Sequence, residues 1–163
     1  MPHLNSAFNI ARWLVRDDHD AQDIVQEAYL RGLRYFDSFK GDDARPWLLG
    51  IVRNTCYTWL RARGQMPEIV EFDDDRDSVG TDTPSGDPEA LLMRKQEVGR
   101  INGALECLPT IFREAIVLRE LEGLSYTEIA AVTDVPIGTV MSRLSRARTL
   151  LRAALGSKDQ GVS

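Results

Sequence analysis

Between Gln65 and Pro88 the chain carries eight acidic residues against one arginine, Arg76. Gly80, Pro84, Gly86 and Pro88 interrupt the stretch, and Ser, Thr and Asp fill much of the rest. No apolar period of 2 or 3.6 runs through it, so neither a strand nor a helix could bury a face there. The sequence therefore predicts a flexible acidic linker over residues 65–88, which fully extended would span up to about 80 Å. It divides the chain into residues 1–64 and 89–163, each short for an independent hydrophobic core.

The linker also accounts for the charge. The chain has a formal net charge of −5. Residues 1–64 hold nine Lys/Arg and eight Asp/Glu, and residues 89–163 hold ten and nine, so each module is near +1. The excess of acid lies between them, and the low isoelectric point does not argue against a polyanion partner.

Other features narrow the class. No apolar run reaches the roughly 18 residues of a membrane span, so no membrane insertion is expected. The first residues, MPHLNSAFNIARWLVRDD, lack a basic start followed by an apolar core, and no signal peptide is read. Cys56 and Cys107 are far apart and outside any CxxC pair, which fits free thiols in a reducing cytoplasm. His3 and His19 are the only histidines, with no metal-ligand spacing. There is no glycine-rich phosphate loop, and the carboxylates at 71–77 lie where no acid–base geometry could be fixed. The expectation is a protein without cofactor, metal or catalytic site.

Both modules read as all-α. In the first, Ala7 to Val15 is a short helix. A second runs from about Asp20 to Phe36 on the stripe Ala21, Ile24, Val25, Ala28, Tyr29, Leu33 and Phe36. Pro46 suits the first turn of a third, whose Trp47, Ile51, Thr55 and Trp59 share a face. In the second module, Pro88 and Glu89 open a helix through Leu108. Pro109 starts the next, which stops near Gly123. Ser125 and Glu128 form a capping box. Thr133-Asp134-Val135 makes a turn, with Asp134 suited to a left-handed backbone. Pro136 then starts a last helix to about Leu155, with Ile137, Val140, Leu144, Ala147 and Leu151 as its buried stripe.

The end of the chain points to function. A capped short helix, a tight turn and an amphipathic helix form a helix-turn-helix, whose second helix can enter a DNA major groove. Thr139, Ser142, Arg143 and Arg146 share a face of that helix, and Arg148 and Arg152 add charge. No acid occurs between residues 135 and 155. Arginine can bond guanine bidentately, hydroxyls can bond several bases, and the other cations can neutralise phosphates.

Two further surfaces stand out in the first module. Asp23, Gln26, Glu27 and Arg31 lie opposite the apolar stripe, which is either solvated charge or a docking face for a protein. Phe39, Lys40, Arg45, Arg53, Asn54, Tyr57, Arg61 and Arg63 mix aromatics, cations and an amide, which suits unstacked nucleic acid. Trp47 and Trp59 have the spacing of core residues. Phe39 lies in a polar loop with no stripe to join, so it is the better candidate for stacking on a base.

The segments DAQDIVQEAYLRGLRYFDSFKGD, WLLGIVRNT, DPEALLMRKQEV, LPTIFREAIVLRELEGLSYTEIA and VPIGTVMSRLSRARTLLR, in this order, resemble the extracytoplasmic-function sigma factors of the bacterial sigma-70 family. The resemblance implies region 2 over residues 1–64 and region 4 over 89–156, followed by a polar tail at 157–163. It implies that Asp23, Gln26, Glu27 and Arg31 dock on the clamp of core RNA polymerase, with region 4 on its flap. It implies that Phe39, Lys40, Asp42 and Asn54 capture a flipped −10 base, that Tyr35 borders the pocket, and that Arg53 and Tyr57 lie along the DNA. Thr139, Ser142, Arg143, Arg146 and Arg148 would read the −35 element. Promoter DNA and an anti-sigma factor are the other implied partners. The linker would thread channels built for a polyanion. The alternative is a sigma-like decoy that sequesters an anti-sigma factor without binding DNA.

Overall fold

The computed structural model describes residues 3–39, 41, 43–65 and 99–160, the last four by backbone alone. Most of the acidic stretch, the helix start expected at Pro88, and Lys40 and Asp42 lie outside these residues. Among the described residues the chain is helical and has no strand. In order these are α1 (Leu4–Val15), α2 (Asp18–Arg34), a 3₁₀ turn at Phe36–Ser38, α3 (Ala44–Ala62), α4 (99–106), α5 (Thr110–Ile116) continuing into a π turn at Val117–Leu121, α6 (Tyr126–Thr133) and α7 (Ile137–Gln160).

Helix starts follow local chemistry. Asp17 caps α2 by accepting from the Asp20 amide at 2.9 Å. Asp43 caps α3 in the same way, through the Arg45 amide. That start is two residues earlier than Pro46 alone suggests. It leaves the proline inside the first turn, where a missing N–H costs nothing. The capping box at α6 is present in both halves: the Ser125 hydroxyl accepts from the Glu128 amide at 3.1 Å, and the Glu128 carboxylate accepts from the Ser125 amide at 2.9 Å. Gly123 at φ +69° and Asp134 at φ 56°, ψ 49° bracket α6 with left-handed residues. Replacing Ser125 by alanine should destabilise the protein by about 1 kcal/mol. Urea denaturation followed by circular dichroism would measure it.

The α2 stripe needs one correction. Ala21, Ile24, Val25 and Ala28 are buried, but Leu33 and Phe36 are 70% and 58% exposed. Leu33, still within α2, lies off the inward face that Ala28 and Gly32 hold, and Phe36 falls past the helix end at Arg34, in the 3₁₀ turn. Gly32 takes the inward place instead, with a Cβ there falling 3.6 Å from Leu48. In α7, Val140, Leu144 and Ala147 are buried, whereas Ile137 is 43% exposed at the helix start.

Helices α1, α2 and α3 pack on one another, and α7 packs on α5 and α6. The two groups also share one apolar core: Ile10, Leu49 and Val52 belong to the same cluster as Phe112, Ile129 and Val132. Their main junction is α3 against α6. Gly50 makes it close, since a Cβ there would lie 3.7 Å from the Val132 carbonyl oxygen. Buried Arg113 ties the groups further, donating to the carbonyls of Trp13 on α1 at 2.8 Å and Leu108 at 2.9 Å.

Candidate nucleic-acid interface

The helix-turn-helix presents α7 as its outer helix. Arg146 is exposed, and Thr139 and Ser142 are half-buried on the same side. The Ser142 hydroxyl donates to the Gly138 carbonyl at 3.0 Å, a bond it can exchange for another acceptor. Arg148 turns toward the π turn and pairs with Glu120 at 3.2 Å. Arg143 is half-buried, and burial lowers its pKa although Glu114 acts against this. Among the described residues its Nε has no hydrogen-bond partner.

In the N-terminal group the aromatic residues gather at the start of α3. Phe39 packs on Trp47 with ring centroids 5.1 Å apart at 41°, and Phe36 meets the same indole edge-on at 6.4 Å. A Cβ at Gly41 would come within 3.3 Å of the Phe39 ring. Phe39 is thus half-buried, and Trp47 is the platform beneath it. Tyr35, the C-cap of α2, and Asn54, midway along α3, are both exposed. Trp59 packs against the core and carries Arg63 over its ring at 4.0 Å.

Arg53 and Tyr57 have a different setting. The Arg53 guanidinium lies 4.2 Å over the Tyr57 ring, and its Nε donates to Glu114 of α5 at 2.8 Å. Glu114 is 2% exposed. Its complete burial raises its pKa, and Arg53 opposes the rise. Burial likewise raises the Tyr57 hydroxyl, with Glu114 adding to it. Neither Glu114 nor Arg113 was expected from the sequence reading as an organising group. The signal was there: a charged pair inside the otherwise apolar run IFREAIVL, which only burial with partners could tolerate.

On α2, Asp23, Gln26 and Glu27 are exposed, and Glu27 pairs with Arg31 at 3.1 Å. Leu30, 67% exposed, and Leu33 lie beside them. The face is mixed, charged and apolar together. Cys56 is buried and its thiol is pushed up to about 12, mainly by burial, whereas Cys107 is exposed. Iodoacetamide at neutral pH should alkylate Cys107 at least ~10-fold faster than Cys56, and mass spectrometry of peptides would show it.

Comparison with known proteins places these parts. A family model for sigma-70 region 2 matches residues 1–65, and one for sigma-70 region 4 matches residues 99–151. The ECF RNA polymerase sigma-E factor of Escherichia coli is 42% identical over 134 residues, 79% of this chain and 70% of that protein. The chain belongs to the extracytoplasmic-function sigma factors of the sigma-70 family. Another sigma factor, the RNA polymerase sigma-H factor of Pseudomonas aeruginosa, is 39% identical over 149 residues, covering 86% of this chain and 76% of that one. In structure this sigma factor resembles the sigma factor RpoE of Bartonella quintana, solved in complex with the anti-sigma factor NepR. The TM-score is 0.69 with 29% identity, over 94% of this chain and 91% of that one. It also resembles CnrH solved with the cytosolic domain of CnrY, at TM-score 0.66 and 25% identity, over 96% and 84% of the two chains. Among the described residues of this sigma factor, no helix is long and apolar enough to cross a membrane.

Proposed function

We propose that the protein binds core RNA polymerase and gives it promoter specificity, with residues 1–64 as region 2, 65–88 as linker, 89–156 as region 4 and 157–163 as tail. The observation that carries the reading is the capped helix-turn-helix with exposed Arg146 on an acid-free outer helix, in a chain of this family. Thr139, Ser142, Arg143 and Arg146 meet base edges of the −35 element, and Arg148 reaches phosphate once released from Glu120.

Region 2 has two tasks in this reading. The face of Asp23, Gln26, Glu27 and Arg31, flanked by exposed Leu30 and Leu33, docks on the polymerase clamp. A mixed charged and apolar patch is what a protein interface uses. The Phe39–Trp47 stack receives an unstacked −10 base, together with exposed Tyr35 and Asn54 and with Lys40 and Asp42, which follow Phe39 in sequence. Arg53 and Tyr57 follow the strand from there. The chain performs no chemistry: the polymerase makes the phosphodiester bonds, in the cytoplasm. The similar structure of RpoE holds an anti-sigma factor, which supports such a protein as a second partner here.

Run-off transcription with purified core enzyme and genomic fragments tests this directly. Initiation at defined starts is the expected outcome. Its absence from every fragment would favour the anti-sigma decoy. Asn54→Ala or Phe39→Ala should reduce promoter opening more than closed-complex formation, as read by permanganate reactivity of promoter thymines; unchanged reactivity would remove both residues from the base pocket.

A further inference from the structure

The cations assigned to promoter contacts are not all directed at solvent. Arg53 and Tyr57 leave α3 toward the C-terminal module, and Arg143 leaves α7 close enough to both to interact with them electrostatically. Glu114 stands among the three. Its Oε2 accepts from Arg53 Nε at 2.8 Å, and the Arg143 charge acts on the same carboxylate. The side-chain exposures of the ion pair are 12% for Arg53 and 1% for Glu114. A carboxylate facing two guanidinium groups offers them what a backbone phosphate would: an oxyanion that accepts charge-assisted hydrogen bonds.

The cluster is not fully bonded where it stands. Among the described residues Tyr57 Oη, Glu114 Oε1 and Arg143 Nε are buried and none makes a hydrogen bond of full geometry, although Tyr57 and Glu114 interact. Buried polar atoms are nearly always well paired, so such a junction holds contacts that better partners could replace. Other polar ties join the two modules. Arg45 of α3 donates to the Glu122 carbonyl and carboxylate, Asn9 of α1 donates to the same carboxylate at 3.1 Å, and Arg16 donates to the Glu106 carbonyl.

We propose that Glu114 is an internal surrogate for a DNA phosphate: it latches region 2 to region 4 through Arg53 and faces Arg143, so the free protein is closed and these promoter contacts come free only when the modules part. The proposal rests on the promoter reading of Arg53, Tyr57 and Arg143 given above. Nothing in the latch needs a ligand to close it. Polymerase opens it by holding the two modules apart, and DNA then takes the place of the carboxylate.

The junction can be opened without touching charge. At Gly50 even a methyl group would be in van der Waals contact with Val132, so Gly50→Trp wedges α3 from α6. Small-angle X-ray scattering and fluorescence anisotropy on a duplex bearing a −35 element, both on the full chain, form the test. A compact wild type should have a radius of gyration near the ~15 Å of a single globule of this length, and Gly50→Trp should raise it to roughly 20 Å or more. The same variant should bind the duplex about tenfold more tightly at low salt, with a steeper salt dependence. Arg53→Glu should expand the chain by opposing like charges, and Arg53→Glu combined with Glu114→Arg should restore compactness.

An extended wild type overturns the proposal. So do variants that stay compact, and so does an expanded Gly50→Trp chain whose DNA affinity is unchanged. Run-off transcription by the wild type separates the two levels. If it initiates while the latch variants fail these criteria, only the latch is wrong. If it does not initiate, the promoter reading falls first.

Discussion

Replacing Arg146 by alanine should weaken −35 recognition by about 1–3 kcal/mol for each base edge it no longer bonds, roughly 5- to 150-fold in affinity. Several observations single this residue out. Of the arginines at 143, 146 and 148, it alone is exposed. Arg148 is drawn to Glu120 and Arg143 lies in the junction beside Glu114, so neither is as ready to meet a groove. Arg146 also stands one turn from Ser142 and Arg143, on the side of α7 away from buried Val140, Leu144 and Ala147. The measurement is anisotropy of the assembled holoenzyme on cognate and base-substituted −35 duplexes. If Arg146 reads a base, the variant loses discrimination at one position while weaker sites change little. A uniform loss across all duplexes, with the salt slope reduced by about one, would make it a phosphate contact instead.

Replacing Arg113 should have its large effect on stability instead. It is 2% exposed, and among the described residues no carboxylate comes within ion-pair distance: its partners there are the carbonyls of Trp13 and Leu108, the Thr110 hydroxyl at 3.2 Å and, at the limit of bonding, the Glu106 carbonyl. Replacement by alanine removes the guanidinium from the Trp13 and Leu108 carbonyls and opens a cavity, at a cost of about 3 kcal/mol. Burial, helped by nearby Arg16, pushes its pKa down to about 10. An arginine keeps its proton throughout the working range, so the charge is held inside at a cost that its carbonyl hydrogen bonds offset. Guanidinium titrations of wild type and Arg113→Ala at neutral pH should show the loss; a variant within about 1 kcal/mol of wild type would mean the guanidinium is dispensable to the fold.

Much of the fold was written locally. The capping box at Ser125 and Glu128, the left-handed turn at Asp134 and the helix stop at Gly123 each depend on neighbours within a few residues, and all occur where the residue types place them. The inner face of α2 followed for the same reason as far as Ala28. Beyond it the 3.6 period continued in sequence through Leu33 and Phe36, but Leu33 lies off the inward face and Phe36 falls past the helix end at Arg34. Periodicity does not report where a chain turns away from its core.

The candidate site was less legible because its side chains are placed by distant partners. Arg53 reads as a DNA-facing cation beside Asn54, yet its ion-pair partner is 61 residues away. Phe39, in a polar loop, gave no hint that it would rest on Trp47. The junction of the two modules is likewise a property of packing between separate apolar runs, and composition alone allowed the modules to sit apart or together.

The two left-handed residues that bracket α6 bear on the energetics of reading DNA. Gly123 accepts its conformation without strain, Asp134 at little cost, and the capping box fixes the start of α6 between them. The angle between α6 and α7 is thus established in the protein alone. Promoter contact then demands no coupled folding of the reading head. Isothermal calorimetry over a range of temperatures should accordingly find a heat-capacity change set by the surface covered at the −35 element, without the larger negative increment that ordering a segment on binding would add.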